Sequence, residues 1–283
     1  ELAFFPVEPG VATAELAKVD VAKVLSSFET DFSHKPRSRI PNLRVAARYL
    51  NGVIVGPGEI FSFNHVVGPR TEERGFRNAP VIVQDELEPG LGGGVCQVAT
   101  AVFASAMLGG LEIVERRSHS RPSGYAPLGL DATVIYPQVD LRLRNPYDSP
   151  IMIHAVVGSK TIRVEFLGRD APGKVEHFFS TEGPVAFGRR VVVKTELAPG
   201  TIDKRQKGNP GYDGVSTLLT TAADGQRSSR RYSSKYYPVP EVFWIASNVA
   251  LATLPPLPPG ATGVEVTTEG NPVDGERGDA REP

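Results

Sequence analysis

Apolar residues follow two different rhythms along this chain, and the changeover falls near residue 110. Before it the period is helical. Residues 15–29 (ELAKVDVAKVLSSFE) set Val21, Val24, Leu25 and Phe28 at helical spacing and predict a short amphipathic helix. A second helix is better signed: Ser38 and Pro41 stand as cap and first turn, Leu43, Ala46, Ala47 and Leu50 form an apolar stripe, and Asn51-Gly52 stops it. Pro57-Gly58 opens an expected strand over 59–64, Gly68-Pro69 ends it, and Val81–Val83 predicts another short strand. Residues 97–108 (QVATAVFASAML) are apolar nearly all round, the signature of a helix enclosed in a core.

After Gly109-Gly110 the period becomes two. Residues 111–114, 132–136, 139–144, 151–157 and 161–167 read as strands, and Asp140–Arg144 alternates apolar with charged positions. Helices followed by a run of strands predict an α+β domain over 20–169, with helices packed on a mainly antiparallel sheet and a buried helix starting at the cysteine. Residues 1–19 are a lead-in and Asp170–Gly173 reads as a linker. Residues 174–247, with turns at Gly208–Gly211, Asp213-Gly214 and Asp224-Gly225, predict a small all-β second domain. The Pro- and Gly-rich tail over 254–283 is expected to be disordered by about Val264.

Composition narrows the function classes. With 283 residues, 40% of them hydrophobic, the chain can bury a substantial core. Thirty-one basic residues against 32 acidic leave no global field to attract nucleic acid or a membrane. No apolar run is long enough for a transmembrane helix, and no basic n-region with an apolar h-region follows Glu1. A single cysteine excludes an internal disulfide and a multi-cysteine zinc site. Walker, dinucleotide, HExxH and metal-spaced histidine patterns are missing, so neither a metal nor another cofactor is expected. A monomer is expected.

The chemistry concentrates at Gly92-Gly93-Gly94-Val95-Cys96-Gln97, where the sole cysteine follows three glycines and opens the apolar helix. A cysteine there meets unpaired N–H groups and the positive end of the helix dipole, which favour a thiolate. The alternative is a buried cysteine that merely fills space, although the glycine triplet has no purpose in that case. Of the five histidines, His154 reads as a cross-strand packing residue, and His34, His65 and His177 carry no special pattern. His119, 23 residues beyond the cysteine, is placed for a strand to return it to the helix start and is the candidate base. Asp131 is the candidate third group, with Asp140 its competitor. Arg70, Arg74, Arg116 and Arg117 are candidates to hold a substrate carboxylate, while residues 70–74 read equally well as a solvated, self-paired turn.

Phe61-Ser62-Phe63-Asn64, Gly68-Pro69-Arg70-Thr71, Gly75-Phe76 with Ala79-Pro80, the cysteine loop, Glu115-Arg116 with His119-Ser120, and Gly129–Val134 together resemble the VanW family from about Asp20 to Gly168. Residues 174–247 are more weakly similar to the five-glycine domain of bacterial wall-associated proteins. The family is named for accessory genes in glycopeptide-resistance clusters, and some members are regarded as L,D-transpeptidases that form 3-3 cross-links between peptidoglycan stems through a cysteine acyl-enzyme. The resemblance implies Cys96 as nucleophile and His119 as base; beside them Asp131 stays the candidate orienting group, with Asp140 or none as alternatives, and Gly93, Gly94, Gln97, Arg70, Arg116 and Tyr125 are the expected substrate contacts. It also implies peptidoglycan stem peptides as partner and an extracytoplasmic location. The His-Gly-Cys signature of the better-known L,D-transpeptidases is absent here. Two further readings stay open: a carboxypeptidase or amidase using the same cysteine with water, and a non-catalytic wall-binding module.

Overall fold

A computed structural model describes residues 19–83, 86–169, 173–222 and 224–268. It is mostly β, with 46% strand and 15% helix in several sheets and three α-helices. The α+β expectation is thereby corrected: the helices do not form a layer on one sheet. Much of what reads as helix or loop before residue 110 is strand.

The chain divides into two compact units, residues up to Ser180 with Gly214–Ser234, and Thr181–Asp213 with Lys235 onward. In the first unit, β1 (Lys23–Asp31), β2 (Ile54–Val55), β8 (Ile151–Val157) and β9 (Thr161–Gly168) form an antiparallel sheet in the order β1-β9-β8-β2. A second sheet has the order β3-β7-β6, from β3 (Ile60–Ser62), β6 (Glu112–Glu115) and β7 (Arg142–Arg144). Strands β4 (Asn78–Val83) and β5 (Glu86–Leu91) pair as a hairpin. The helices are α1 (Ile40–Leu50), α2 (Phe63–Val67) and α3 (Val95–Leu108).

β1 replaces the helix expected over 15–29, whose first residues lie outside the described ones. A bulge between Val24 and Ser26 breaks the alternation, so that Ser26 and Thr30 are buried while Val24 is 55% exposed. That break is what gives the apolar residues their helical spacing. The strand expected over 59–64 stops at Ser62, whose hydroxyl accepts from the His65 N–H and caps α2. Residues 132–136 are extended but not a ladder strand. The Ala132 N–H goes to Thr100 Oγ1 on α3, while Thr133 and Ile135 make isolated bridges with Arg117 and Val139. Their alternation reflects burial of Ala132 and Val134, which an extended segment achieves without a strand partner.

α3 is the centre of this unit and packs against β1, β9 and α1. From Val95 to Met107 every residue is buried except Cys96, which is half-buried. Each buried polar side chain on this helix makes at least one hydrogen bond, although Gln97 Oε1 is left without a partner. Thr100 Oγ1 donates to the Ala132 carbonyl, Ser105 meets Ser26 at 3.2 Å, and Gln97 Nε2 donates to Thr30 Oγ1 and the Asp31 carbonyl. No helix among the described residues is long and apolar enough to cross a membrane.

β10 (Lys174–Val185), β13 (Gly211–Thr221) and β14 (Arg227–Tyr236) form a three-stranded sheet in the order β10-β13-β14, most of whose residues belong to the first unit. The second unit contains β11 (Phe187–Lys194), β12 (Ile202–Gln206), β15 (Glu241–Ala246) and β16 (Ala261–Thr268), ordered β12-β15-β11-β16, with β11 parallel to both its neighbours. Val191, Phe243 and Ile245 form its small core, and Arg189 makes a buried 2.6 Å ion pair with Glu241. β16 corrects the expectation of disorder from about Val264. Its side chains are mostly exposed, so backbone pairing with β11, rather than apolar burial, holds it. The remainder of the tail lies outside the described residues.

Candidate active site

Three consecutive glycines set the position of Cys96. Gly93 is wedged where a Cβ would lie 2.6 Å from the carbonyl oxygens of both Ala79 and Pro80, so no larger residue fits without moving backbone. Gly94 is the N-cap of α3 at φ 111, a left-handed conformation that L side chains rarely adopt. Asn42 of α1, fully buried, locks the loop: its Nδ2 donates to the carbonyls of Gly93 and Arg77, and its Oδ1 accepts from the Arg77 N–H. Within the turn the Val95 N–H donates to Gly92 O and the Gln97 N–H to Gly94 O, whereas the Cys96 N–H makes no backbone bond among those described. It remains a donor beside its own thiol.

Cys96 stands at the second position of α3, with Sγ 3.4 Å from the Val134 carbonyl oxygen. The His119 imidazole is within hydrogen-bonding reach of that sulfur. Asp131 Oδ2 accepts from His119 Nδ1 at 2.6 Å and from the His119 backbone N–H at 2.7 Å, which fixes the ring and leaves Nε2 as the nitrogen not held by the carboxylate. Tyr125 Oη is 3.1 Å from Nε2. Arg116 donates through Nε to the Asp131 carbonyl and through its terminal nitrogens to Asp131 Oδ1 and Ser234 Oγ. Its guanidinium also lies 4.8 Å from the centre of the Phe103 ring on α3. Cys96, His119, Asp131 and Arg116 thus form one connected chain.

The electrostatics follow from these contacts. Burial pushes the Cys96 thiol up, but the hydrogen bond and charge of His119, with the charge of Arg70, outweigh it and leave the thiol below its ordinary value. Burial works against the His119 imidazolium, yet Asp131 and Cys96 raise it to about 9. Asp131 is held below the usual carboxylate range despite burial, chiefly by His119 and then Arg116. The two shifts on cysteine and histidine favour a thiolate–imidazolium pair near neutral pH. Burial raises the Tyr125 hydroxyl strongly, so it stays a neutral phenol.

The other sequence candidates have definite places. Arg70 lies against Gly92, where a Cβ would come within 2.8 Å of its Cγ, and donates to the Gly68 carbonyl and Asn64 Oδ1. No carboxylate pairs with it among the described residues, and burial lowers it only to about 10, so it is cationic. Neither Arg70 nor Arg74 pairs with Glu72 or Glu73 among the described ion pairs, and Arg74 lies over the Tyr49 ring. Gln97 points into the core rather than toward the thiol, toward Thr30 and Asp31. Asp140 sits away from the imidazole, accepting from Ser62 Oγ and the Asn64 and Leu141 N–H groups. His154 pairs across the sheet with Glu165. Among the described residues no group of three metal-ligating side chains converges. Asn42 and Thr100 escape the sequence reading. Asn42 carries a signal nonetheless, being a polar residue four positions before Ala46, on the apolar stripe.

Comparison with known proteins gives a family match over the residues that carry this site. Residues 38–167 match the family model described as VanW like protein. The uncharacterized protein YoaR of Bacillus subtilis is 41% identical over 149 residues, which are 53% of this chain and 49% of that protein. The chain therefore spans about half the length of that relative. The vancomycin B-type resistance protein VanW of Enterococcus faecalis is 25% identical over 197 residues, 62% of this chain and 71% of that protein. A solved G5 domain of IgA1 protease, 18% identical, aligns over 27% of this chain and 96% of its own with a TM-score of 0.19, too low to argue from. Residues 38–167, which carry the glycine loop, Cys96, His119 and Asp131, are thus a VanW-like domain.

Proposed function

We propose that this protein is a cysteine acyltransferase acting on peptidoglycan stem peptides, an L,D-transpeptidase that forms 3-3 cross-links through a Cys96 thioester. The single observation that carries the reading is the connected chain from Cys96 through His119 to Asp131, with the thiol lowered and the imidazole raised. The VanW-like domain supports a cell-wall-related role and an extracytoplasmic setting. In this reading residues 20–169 are the catalytic domain and 174–247 an accessory β domain.

The chemistry uses groups already in place. The Cys96 thiolate attacks the carbonyl carbon of the third stem residue, and the oxyanion meets the Cys96 N–H at the start of α3. The C–N bond to the terminal D-alanine breaks as His119 Nε2 passes its proton to the leaving amine, which leaves a thioester. The side-chain amine of a second stem then attacks that thioester. His119 takes the amine's proton, the C–S bond breaks, and the thiolate is regenerated. Arg70, cationic and without a carboxylate partner, supports binding of a carboxylate beside the loop.

The test is mass spectrometry of purified tetrapeptide muropeptides after incubation with wild type and with Cys96→Ala. A 3-3 dimer or a covalent adduct that depends on Cys96 is expected. Cys96-dependent tripeptide without dimers would reassign the acceptor to water. Absence of both turnover and adduct would overturn the enzymatic reading.

A further inference from the structure

Tyr125 belongs to two places at once. Its hydroxyl meets His119, and its ring lines a cavity of about 520 Å³ together with Lys35, Gly124, Pro127, His34 and Asp31, among others. Lys35 Nζ stands 5.8 Å from the centre of that ring. Lys35 is held below its ordinary value by burial and then by the charges of Arg39 and Arg121, so cations crowd this wall. Arg39 Nε is buried without a hydrogen-bond partner and lies 3.3 Å from where a Cβ on Gly94 would stand. Neither Lys35 nor Arg39 has an ion-pair partner among the described residues. Asp31 at the rim is anionic but makes no ion pair with either among the described residues, its Oδ1 accepting from the Ser33 N–H and hydroxyl. Like charges brought together under partial burial with no counter-ion are unfavourable until an anion joins them.

Arg70 touches the loop at Gly92 and Arg39 touches it at Gly94, so separate cationic groups stand at the two ends of the glycine triplet that carries the nucleophile. We propose that Lys35 and Arg39 form a second carboxylate-binding subsite of the Cys96 centre, so that the preferred donor is a peptide bearing an internal carboxylate besides the one held by Arg70. Tyr125 is the wall between the bound carboxylate and the imidazole. The proposal rests on the acyl-transfer reading for its substrate, and it adds which chemical form of the peptide is accepted: the free acid over the carboxamide.

The probes are two synthetic tetrapeptides ending in D-alanine, identical except that the internal carboxylates are free in one and carboxamides in the other. Acylation of Cys96 is followed by mass spectrometry, and binding to Cys96→Ala by calorimetry. Wild type is expected to acylate about tenfold faster, as kcat/KM, with the free acid, the size of one charge-assisted contact. Lys35→Gln is expected to remove most of that preference, chiefly through KM, and Arg39→Gln to do likewise. Lys35 is the less embedded of the two, so its variant remains informative if Arg39→Gln folds poorly. Equal rates for both peptides, or a preference untouched by Lys35→Gln, would overturn the subsite and leave the enzyme reading standing. If neither peptide acylates Cys96 but Cys96→Ala binds the free acid selectively, and Lys35→Gln abolishes that selectivity, the subsite holds and the enzyme reading fails. If neither acylation nor selective binding occurs, both fail.

Discussion

Asp131→Asn removes a charge from the site while keeping its shape, since the amide oxygen can still accept from His119 Nδ1. The rise of His119 from 6.5 to about 9 represents about 3 kcal/mol in favour of the imidazolium. Burial opposes that rise, and of the groups that produce it Asp131 comes first and Cys96 second, so neutralising Asp131 is expected to lower the thiolate–imidazolium population by about tenfold. Because Cys96 is the only cysteine in the chain, alkylation by iodoacetamide reports on it alone. Wild type is expected to alkylate readily at pH 7, with a half-rate pH below the ordinary thiol value of 9.0. In Asp131→Asn the rate at pH 7 should fall about tenfold and the half-rate point should move up toward 9.0. Stability should fall as well, because Arg116 loses its buried carboxylate while keeping the carbonyl of residue 131 and Ser234. A loss of about 2 kcal/mol, or roughly 4–8 °C in Tm, is expected. An alkylation profile in Asp131→Asn that overlays the wild-type curve in rate and midpoint would refute the electrostatic account of the site.

Three further outcomes follow from the same contacts. Asn42→Ala should cost about 2 kcal/mol by orphaning the Gly93 carbonyl and the Arg77 N–H, the Arg77 carbonyl keeping the Gly92 N–H as donor, readable as a lowered midpoint in urea. Gly93→Ala should displace the loop from the Ala79 and Pro80 carbonyls and slow Cys96 alkylation even where the protein remains folded. Raised His119 stabilises the fold below 6.5 and loses that contribution as pH climbs through about 9, whereas lowered Cys96 stabilises above 9.0 and loses its contribution as pH falls through its folded value. Wherever the folded thiol is ionised while the imidazole is still charged, the folded pair and the unfolded chain hold the same single proton, so there the two slopes cancel. Cys96→Ala removes the thiol's part of the His119 rise and leaves that of Asp131, so its Tm should decline with rising pH above 6.5 by differential scanning calorimetry, more steeply than wild type.

How far the sequence discloses the site depends on which forces build each part. The apolar run after Cys96 announces α3, because total burial leaves no polar face, and Asn51-Gly52 marks the end of α1. The proximity of Cys96, His119 and Asp131 follows from ordered motifs rather than from periodicity, which says nothing about residues 12 or 23 positions apart. β1 was hidden by its bulge, which shifts the apolar positions off a period of two. The extended segment after Asp131 takes its hydrogen bonds from Thr100 and isolated bridges, contacts that no local pattern encodes. Lys35 and Arg39 look like ordinary surface cations in the sequence. Their meaning comes from the cavity and the loop they border.

The lone thiol also has a redox consequence. A thiolate that attacks carbonyls is readily oxidised by peroxide to a sulfenic acid. Nowhere in these 283 residues is there a second cysteine to condense with that sulfenate as a disulfide. Within this stretch of chain the sulfenate has no resolving partner, and unless an outside thiol reduces it, oxidation proceeds to the irreversible sulfinic and sulfonic states. The arrangement that gives Cys96 its reactivity thus ties the lifetime of the site to the reducing capacity of its surroundings.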